Sequence, residues 1–342
     1  DSDELSRRRK LVFCQFLKPA LLRSVQEPKI DDFLKKTLIF VFNQSGGITP
    51  HRKMFARSAY QADFDAVMED CNDLMETLYG GEFDRLLKED PDMDTLMSFP
   101  QNKSKLEDKD LNNGRFTAPP QWALNKDLAG AVRGLQQVGV IESAAMFCDL
   151  IQQGQHRLLK TSNPKLFKGW RDEGEDGELK CWIALVLLWS IGIQEKIEVQ
   201  FNHDMKDVAG KCFSRAPGVK DFPRSFEKAL EYMEDKKLEG WHERVCAGLH
   251  VIDGLRCSFS VETAGENIAV GRELEKRFPV VRTKNGHELN NRSYADRKYN
   301  LVYRTTVEDI GEVAFLCEVQ ILMKRYIEIK KMGHLLYAFQ RS

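Results

Sequence analysis

The sequence predicts an α+β protein: an all-α N-terminal half over residues 1–204, followed over 205–342 by a small mixed β-sheet flanked by helices. Three observations carry that expectation. A chain of 342 residues exceeds what one core usually organises. Up to about residue 204 the apolar residues recur at helical spacing. Beyond about residue 205, alternation with a period of two appears for the first time.

In the first half, Phe33, Leu34, Thr37, Leu38, Val41 and Phe42 share one helical face. Tyr60, Phe64, Val67 and Met68 continue the pattern towards Leu78, where Gly80-Gly81 predicts a stop. Further helices are expected at 121–138, after Pro119-Pro120, and at 141–162 and 179–195. Asp90–Asn113 and Gly169–Gly177 read as polar loops between them. The run Cys181–Ile193 (CWIALVLLWSIGI) is too short to span a bilayer and reads as a buried core helix. No repeat of solenoid period is present, and the role of this half is open beyond docking other protein subunits.

In the second half a helix begins at Asp221, whose carboxylate can cap the free amides while Pro223 is tolerated in the first turn. Phe226, Ala229, Leu230 and Met233 form its apolar stripe. The segment Leu255–Glu262 alternates, with Leu255, Cys257, Phe259 and Val261 on one face. Tyr299–Arg304 and Glu312–Ile321 read as two more strands, the latter placing Val313, Phe315, Cys317 and Val319 opposite Glu318 and Gln320. Pro279–Thr283 is a further strand, running through Asn285-Gly286 into a polar loop. A long closing helix is expected to carry Leu322, Tyr326, Ile329, Leu336 and Phe339.

Composition narrows the function classes. With 42% hydrophobic and 30% charged residues the chain is an ordinary globular protein without a membrane span. A net charge of -1 gives no global attraction to nucleic acid or to an anionic membrane, and no recognition-helix motif points to DNA. Eight scattered cysteines without a CxxC pair speak against a disulfide framework or a zinc site, and for a cytoplasmic or other reducing compartment. The chain opens on Asp-Ser-Asp-Glu and Arg7-Arg8-Arg9-Lys10 with no initiator Met, as expected of a piece of something longer.

Three features can carry chemistry. Lys220, Arg224 and Lys228 recur every four residues at a helix start, preceded by Lys211 and Arg215. Cations stacked beside free helical amides suit a polyphosphate, although a solvated helix face has the same spacing. Asp253 at a strand entrance and Glu318 in mid-strand form a pair of carboxylates. They can hold a divalent metal or accept a proton in phosphoryl or pyrophosphoryl transfer. Alternatively, Glu318 can pair with Arg256 or Arg304 across the sheet as a structural ion pair. Last, Arg282, Lys284, Tyr294, Arg297 and Lys298 read as a basic loop with an embedded aromatic, able to hold phosphates and stack a base, or as a surface hairpin.

Taken in order, these pieces are Val219–Lys228, Val251–Phe259, Val281–Asn285, Ser293–Asn300, Cys317–Gln320 and Lys330–Tyr337. That order resembles a divergent RelA/SpoT-type nucleotidyltransferase domain of the kind found in eukaryotic multidomain proteins. Glu318-Val319-Gln320 is the most specific of the matching elements. The resemblance implies a pyrophosphokinase that moves the β,γ-diphosphate of ATP to a ribose hydroxyl of a guanine nucleotide with magnesium. On the matched positions, Lys220, Arg224 and Lys228 would hold ATP phosphates, with Arg256 and Lys298 also in the nucleotide site. Asp253 would bind magnesium, Glu318 would be second metal ligand or general base with Gln320 beside it, and Tyr294 would stack the acceptor base. The chain departs from the family where alarmone-making members carry Gly-Tyr-x-Ser-x-His; here Ser293, Asp296 and Lys298 replace Gly, Ser and His. Ser258 stands where an Arg usually follows the Asp by five residues, and Arg256 is the arginine at +3. The acceptor therefore stays open between a nucleotide and an RNA end. The alternative is a catalytically degenerate domain serving as a structural or interaction module in a larger assembly. The lone His203-Asp204 pair is far short of the metal-binding set that a hydrolase domain needs.

Overall fold

The computed structural model describes residues 73, 76, 79–99, 117–160, 167, 170, 173–251, 253–287 and 295–327. They fall into two compact units, one drawn from 98–285 and 296–322, the other from 1–97, 286–295 and 323–342. The larger unit carries the sheet and is α+β, as the sequence predicts.

In the larger unit, Gln121–Leu124 and α1 (Leu128–Gln137) replace the single helix expected at 121–138. The chain breaks at Asn125–Asp127, with Lys126 at a φ of 54°. The break lets Trp122 fold back over α1, where a Cβ on Gly130 or Gly134 would come within 2.4 Å of a neighbouring side-chain atom. Helix α2 (Ala144–Gln153) starts at Ser143, whose side chain accepts from the Met146 amide, and ends at left-handed Gly154. It is shorter than the expected 141–162, and a 3-10 turn, Arg157–Leu159, follows.

The long helix α3, Gly174–Ala209, overruns the expected 179–195 at both ends, beginning inside the expected loop Gly169–Gly177. Cys181–Gln194 is buried on every side, as the unbroken apolar run demands. Past Gln194 the helix continues because Ile197, Phe201, Met205 and Ala209 recur every four residues and bury one stripe. Phe201 meets Tyr303 of the sheet edge-to-face, with ring centroids 5.1 Å apart. Residues 204 and 205 thus lie inside α3, which packs on α1, on α4 (Phe222–Asp235), on α5 (Gly240–Val245) and on strands of the sheet.

The sheet comprises β1 (Phe213–Arg215), β2 (Leu255–Val261), β3 (Val280–Asn285), β4 (Arg297–Val307) and β5 (Gly311–Met323), in the order β1-β2-β5-β4-β3. The pairs β1–β2, β3–β4 and β4–β5 are antiparallel. Strand β2 alternates buried and half-buried residues along its whole length, as its sequence predicts. Helix α6 (Ala264–Arg277), capped by the Thr263 side chain, connects β2 to β3. Strands β4 and β5 are longer than expected, and their second face is partly apolar: Val302, Ala314 and Leu316 form a small cluster there with Val281 against it. Leu322, expected to open the closing helix, belongs to β5.

In the smaller unit, Gly80-Gly81 does not stop a helix; residues 79–89 are helical straight through it. A glycine costs a helix only about 1 kcal/mol relative to alanine. Burial of Tyr79, Phe83 and Leu86 on one face outweighs that. The expected loop Asp90–Asn113 contains a short helix, Met93–Met97, anchored by buried Met93 and Leu96. Residues 324–327 are helical, and buried Tyr326 packs on Tyr79. The helices expected around 33–42 and 60–68, and Ile329, Leu336 and Phe339, lie outside the described residues.

Candidate functional site

The site begins at the turn that enters β2. There Asp253, 9% exposed, receives two ammonium groups. Lys220 Nζ lies 3.0 Å from Oδ1 and 2.9 Å from Oδ2, and Lys228 Nζ lies 2.7 Å from Oδ2. Asp221, one residue after Lys220, caps α4 by accepting from the Arg224 amide at 3.1 Å, so the helix starts at Phe222. Lys220 is therefore not on the helix face that its spacing suggests. It reaches Asp253 from the preceding extended segment, where its amide donates to the Gly254 carbonyl at 2.8 Å. Lys228 reaches the same carboxylate from the second turn of α4, while Arg224 between them is exposed.

The cluster's electrostatics follow from burial set against mutual attraction. Burial lowers Lys220 to about 8, against the pull of Asp253 the other way. Burial alone would raise the Asp253 carboxyl, but hydrogen bonds from Lys228 and Lys220 hold it below its usual range. Burial likewise works against the charge of Lys228, and Asp253 reverses that, with help from the negative charge of Glu318. Glu318 is thus within electrostatic reach of the cluster.

Glu318 sits on the polar face of β5, where it accepts from Gln320 Nε2 at 2.7 Å. Arg304 pairs with Glu312 at 3.6 Å, and the residue opposite it on β5 is Ala314, while Asn300 stands opposite Glu318. Cross-strand partners share a face. The register places Arg282, Asn300 and Glu318 in one row across β3, β4 and β5, and Lys284, Lys298 and Gln320 in the next. Arg282, Lys284 and Lys298 thus share a sheet face with Glu318, and Lys220 and Lys228 meet at Asp253. Such a surface can accept a polyphosphate and poise a carboxylate beside it.

Several sequence-predicted residues take other places. Lys298 is a strand residue, not a loop residue, and pairs with buried Asp296 at 3.5 Å. Arg297, expected in the basic loop, is 2% exposed on the opposite face of β4. There it lies over Phe99 at 3.9 Å and pairs with Glu275 at 3.6 Å. Arg256 is half-buried on β2, and its Nε has no hydrogen-bond partner among the described residues. Lys211 is engaged with Glu266 at 2.8 Å. Tyr294 and the side chain of Arg215 lie outside the described residues. Asn300 was given no role from sequence. It is 4% exposed between Arg282 and Glu318, and its Nδ2 makes no hydrogen bond among the described residues. Strand β4 already carries Arg297, Lys298, Arg304, Thr305 and Thr306, so no local signal singles Asn300 out; its place beside Arg282 and Glu318 comes from the cross-strand register.

His203, weighed for a hydrolase, is exposed beside Asp204 and Asp207 at 3.6 and 3.5 Å. No group of three or more metal-ligating residues occurs among the described residues. The six described cysteines are free, and no described helix is long and apolar enough to cross a membrane. A cavity of about 460 Å³ between α3 and the far end of β4 is lined among others by Lys196, Gln200, Asp204, Tyr303 and Asp309, and by none of Lys220, Lys228, Asp253 and Glu318.

No family model and no curated protein matches the chain. Among solved structures it is similar to small alarmone synthetase 1 of Bacillus subtilis bound to its product pppGpp, at 16% identity over 42% of this chain and 72% of that chain, with a TM-score of 0.31. It is also similar to smu.1046c of Streptococcus mutans UA159, at 15% identity over 46% of this chain and 78% of that one, with a TM-score of 0.31. The Bacillus synthetase bound to AMPCPP matches at 13% identity over 42% and 83%, with a TM-score of 0.27.

Proposed function

We propose that this protein is a nucleotide pyrophosphokinase of RelA/SpoT type, using ATP as donor and a nucleotide or an RNA end as acceptor. The observation that carries this reading is the convergence of Lys220 and Lys228 on Asp253, with Glu318 close enough to act electrostatically on Lys228. The ordered motifs from Val219 to Gln320 support it independently.

In the reaction the acceptor hydroxyl oxygen attacks the β-phosphorus of ATP. The bond from that phosphorus to the oxygen bridging to the α-phosphorus breaks, and AMP leaves with that electron pair. Glu318 takes the hydroxyl proton; its Oε1 is held by Gln320 at 2.7 Å, which fixes the carboxylate's orientation. Lys220 and Lys228 exchange their bonds to Asp253 for bonds to phosphate oxygens, and Arg224 at the mouth of α4 meets the same charge from solvent. Arg256 and Lys298 complete the nucleotide surface, and Tyr294 stacks the acceptor base.

The donor set fits a magnesium ion that arrives with the nucleotide. Asp253 and Glu318 offer two carboxylates, and phosphates and water commonly supply the remaining ligands of this ion. When bound, magnesium neutralises charge between the phosphate oxygens.

A second reading has its own observation. Both oxygens of Asp253 are already satisfied by lysines, an arrangement that also stabilises a non-catalytic domain. Incubation of the native chain and Glu318→Gln with γ-labelled ATP, magnesium and a panel of nucleotides and RNA 3′ ends separates the two. Label in an acceptor with the native chain alone supports the pyrophosphokinase. The same background with both proteins leaves the structural or interaction module.

A further inference from the structure

We infer that Gln194, on the long helix α3, is a positioning residue for Asp253, acting through Gly254. The inference rests on the proposed role of Asp253 and extends it into the helical half of the chain.

Gly254 follows Asp253 directly and is held on two sides. Its amide donates to the Val251 carbonyl at 3.3 Å, closing the turn, and its carbonyl accepts from the Lys220 amide at 2.8 Å. Lys220 thus ties the two segments twice, through its amide to Gly254 and through its ammonium group to Asp253 one residue earlier. The other side of Gly254 faces α3. A Cβ placed there would stand 2.4 Å from Gln194 Oε1, 3.0 Å from Nε2 and 3.1 Å from Cδ. Gln194 has little room to yield. It is 4% exposed, and its Nε2 donates to the buried Ser190 hydroxyl one turn back at 3.1 Å. Its Oε1 has no hydrogen-bond partner among the described residues. A methionine of similar length would fill the space without that unmatched acceptor, so stability alone does not favour glutamine here.

The consequence is geometric. Asp253 must keep both oxygens within about 3 Å of two ammonium groups, the ordinary reach of a charge-assisted hydrogen bond. The wall set by the Gln194 amide limits where the Gly254 backbone, and with it the Asp253 Cα, can stand. Gln194 touches neither phosphate nor reacting atom in this scheme, and its effect passes through one peptide unit.

The test uses the full chain as Gly254→Ala, Gln194→Ala and the double variant. Two readouts are taken: the hydrogen-bonded Lys220 ammonium resonance in ¹⁵N–¹H spectra, and affinity for ATP with magnesium. Gly254→Ala, which pushes the backbone off the glutamine, and Gln194→Ala, which removes the wall, should each lose the resonance and weaken ATP binding by about tenfold, while the double variant, whose new methyl takes the space of the lost amide, should recover both; an unchanged Gln194→Ala would overturn the inference. Coupling of that size is typical of residues in contact. Independent, multiplying losses would overturn the inference, as would an unchanged Lys220 resonance in Gly254→Ala. If Gly254→Ala does not fold, a folded double variant with the resonance restored supports the contact, and an unfolded one overturns it. Absence of ATP binding by the native chain would count against the pyrophosphokinase reading alone, because the ammonium resonance reports the contact without nucleotide.

Discussion

Lys220 Nζ bridges both carboxylate oxygens of Asp253, at 3.0 and 2.9 Å, although 33 residues separate the two in sequence. With side-chain exposures of 6% and 13%, the pair is largely withdrawn from water. Breaking a buried pair by removing one partner costs about 3–5 kcal/mol, whereas replacing both by apolar groups costs far less. Asp253→Leu, which strands two ammonium groups, should therefore lower the denaturant midpoint strongly, and Asp253→Leu with Lys220→Met, which leaves only half-exposed Lys228 without the carboxylate, should recover much of that loss. Equal losses in the single and double variants would show that the pair is not coupled as described.

The Asp253 carboxyl also shapes the acid limb of stability. Burial pushes its pKa up, but bonds from Lys228 and Lys220 outweigh this and hold it below the ordinary value of 3.8. A depressed folded-state value contributes stability that is present above 3.8 and lost as the pH falls through the folded value. Chemical denaturation between pH 6 and 2 should show this loss in the native chain and a flatter profile in Asp253→Asn.

Phe201 marks where helix α3 is held against the sheet. Truncating a buried phenylalanine to alanine costs about 3–5 kcal/mol. Phe201→Ala should lower the melting temperature markedly, while a change at neighbouring exposed Val199, 80% exposed, should leave it nearly unchanged. A similar effect at both positions would contradict the assignment of the buried stripe.

Much of this was legible in the sequence because it is local. The two-residue alternation of Leu255–Val261, the cap at Asp221 and the apolar run Cys181–Ile193 each depend on near neighbours and appear where they were read. Charge and order mark Lys220, Lys228 and Asp253 in the sequence, and the three converge. What stayed hidden depends on contacts distant in sequence. The extension of α3 to Ala209 is stabilised by Phe201 meeting Tyr303, more than 100 positions later, and Arg297 is buried by Phe99 and Glu275. No local pattern marks Gln194 as the neighbour of Gly254. The same limit explains Gly80-Gly81, where a weak local stop signal is overridden by burial of Tyr79, Phe83 and Leu86.

The most direct test is the identity of the donor product. Diphosphate transfer releases AMP in equal amount to the diphosphorylated acceptor, whereas simple phosphoryl transfer or hydrolysis of the terminal phosphate releases ADP. Chromatography of a reaction with ATP, magnesium and the acceptor panel should show AMP matched to new acceptor product with the native chain, and at least a hundredfold less with Glu318→Gln, about the effect of losing a general base. ADP in place of AMP, or AMP formation undiminished in Glu318→Gln, would contradict the account.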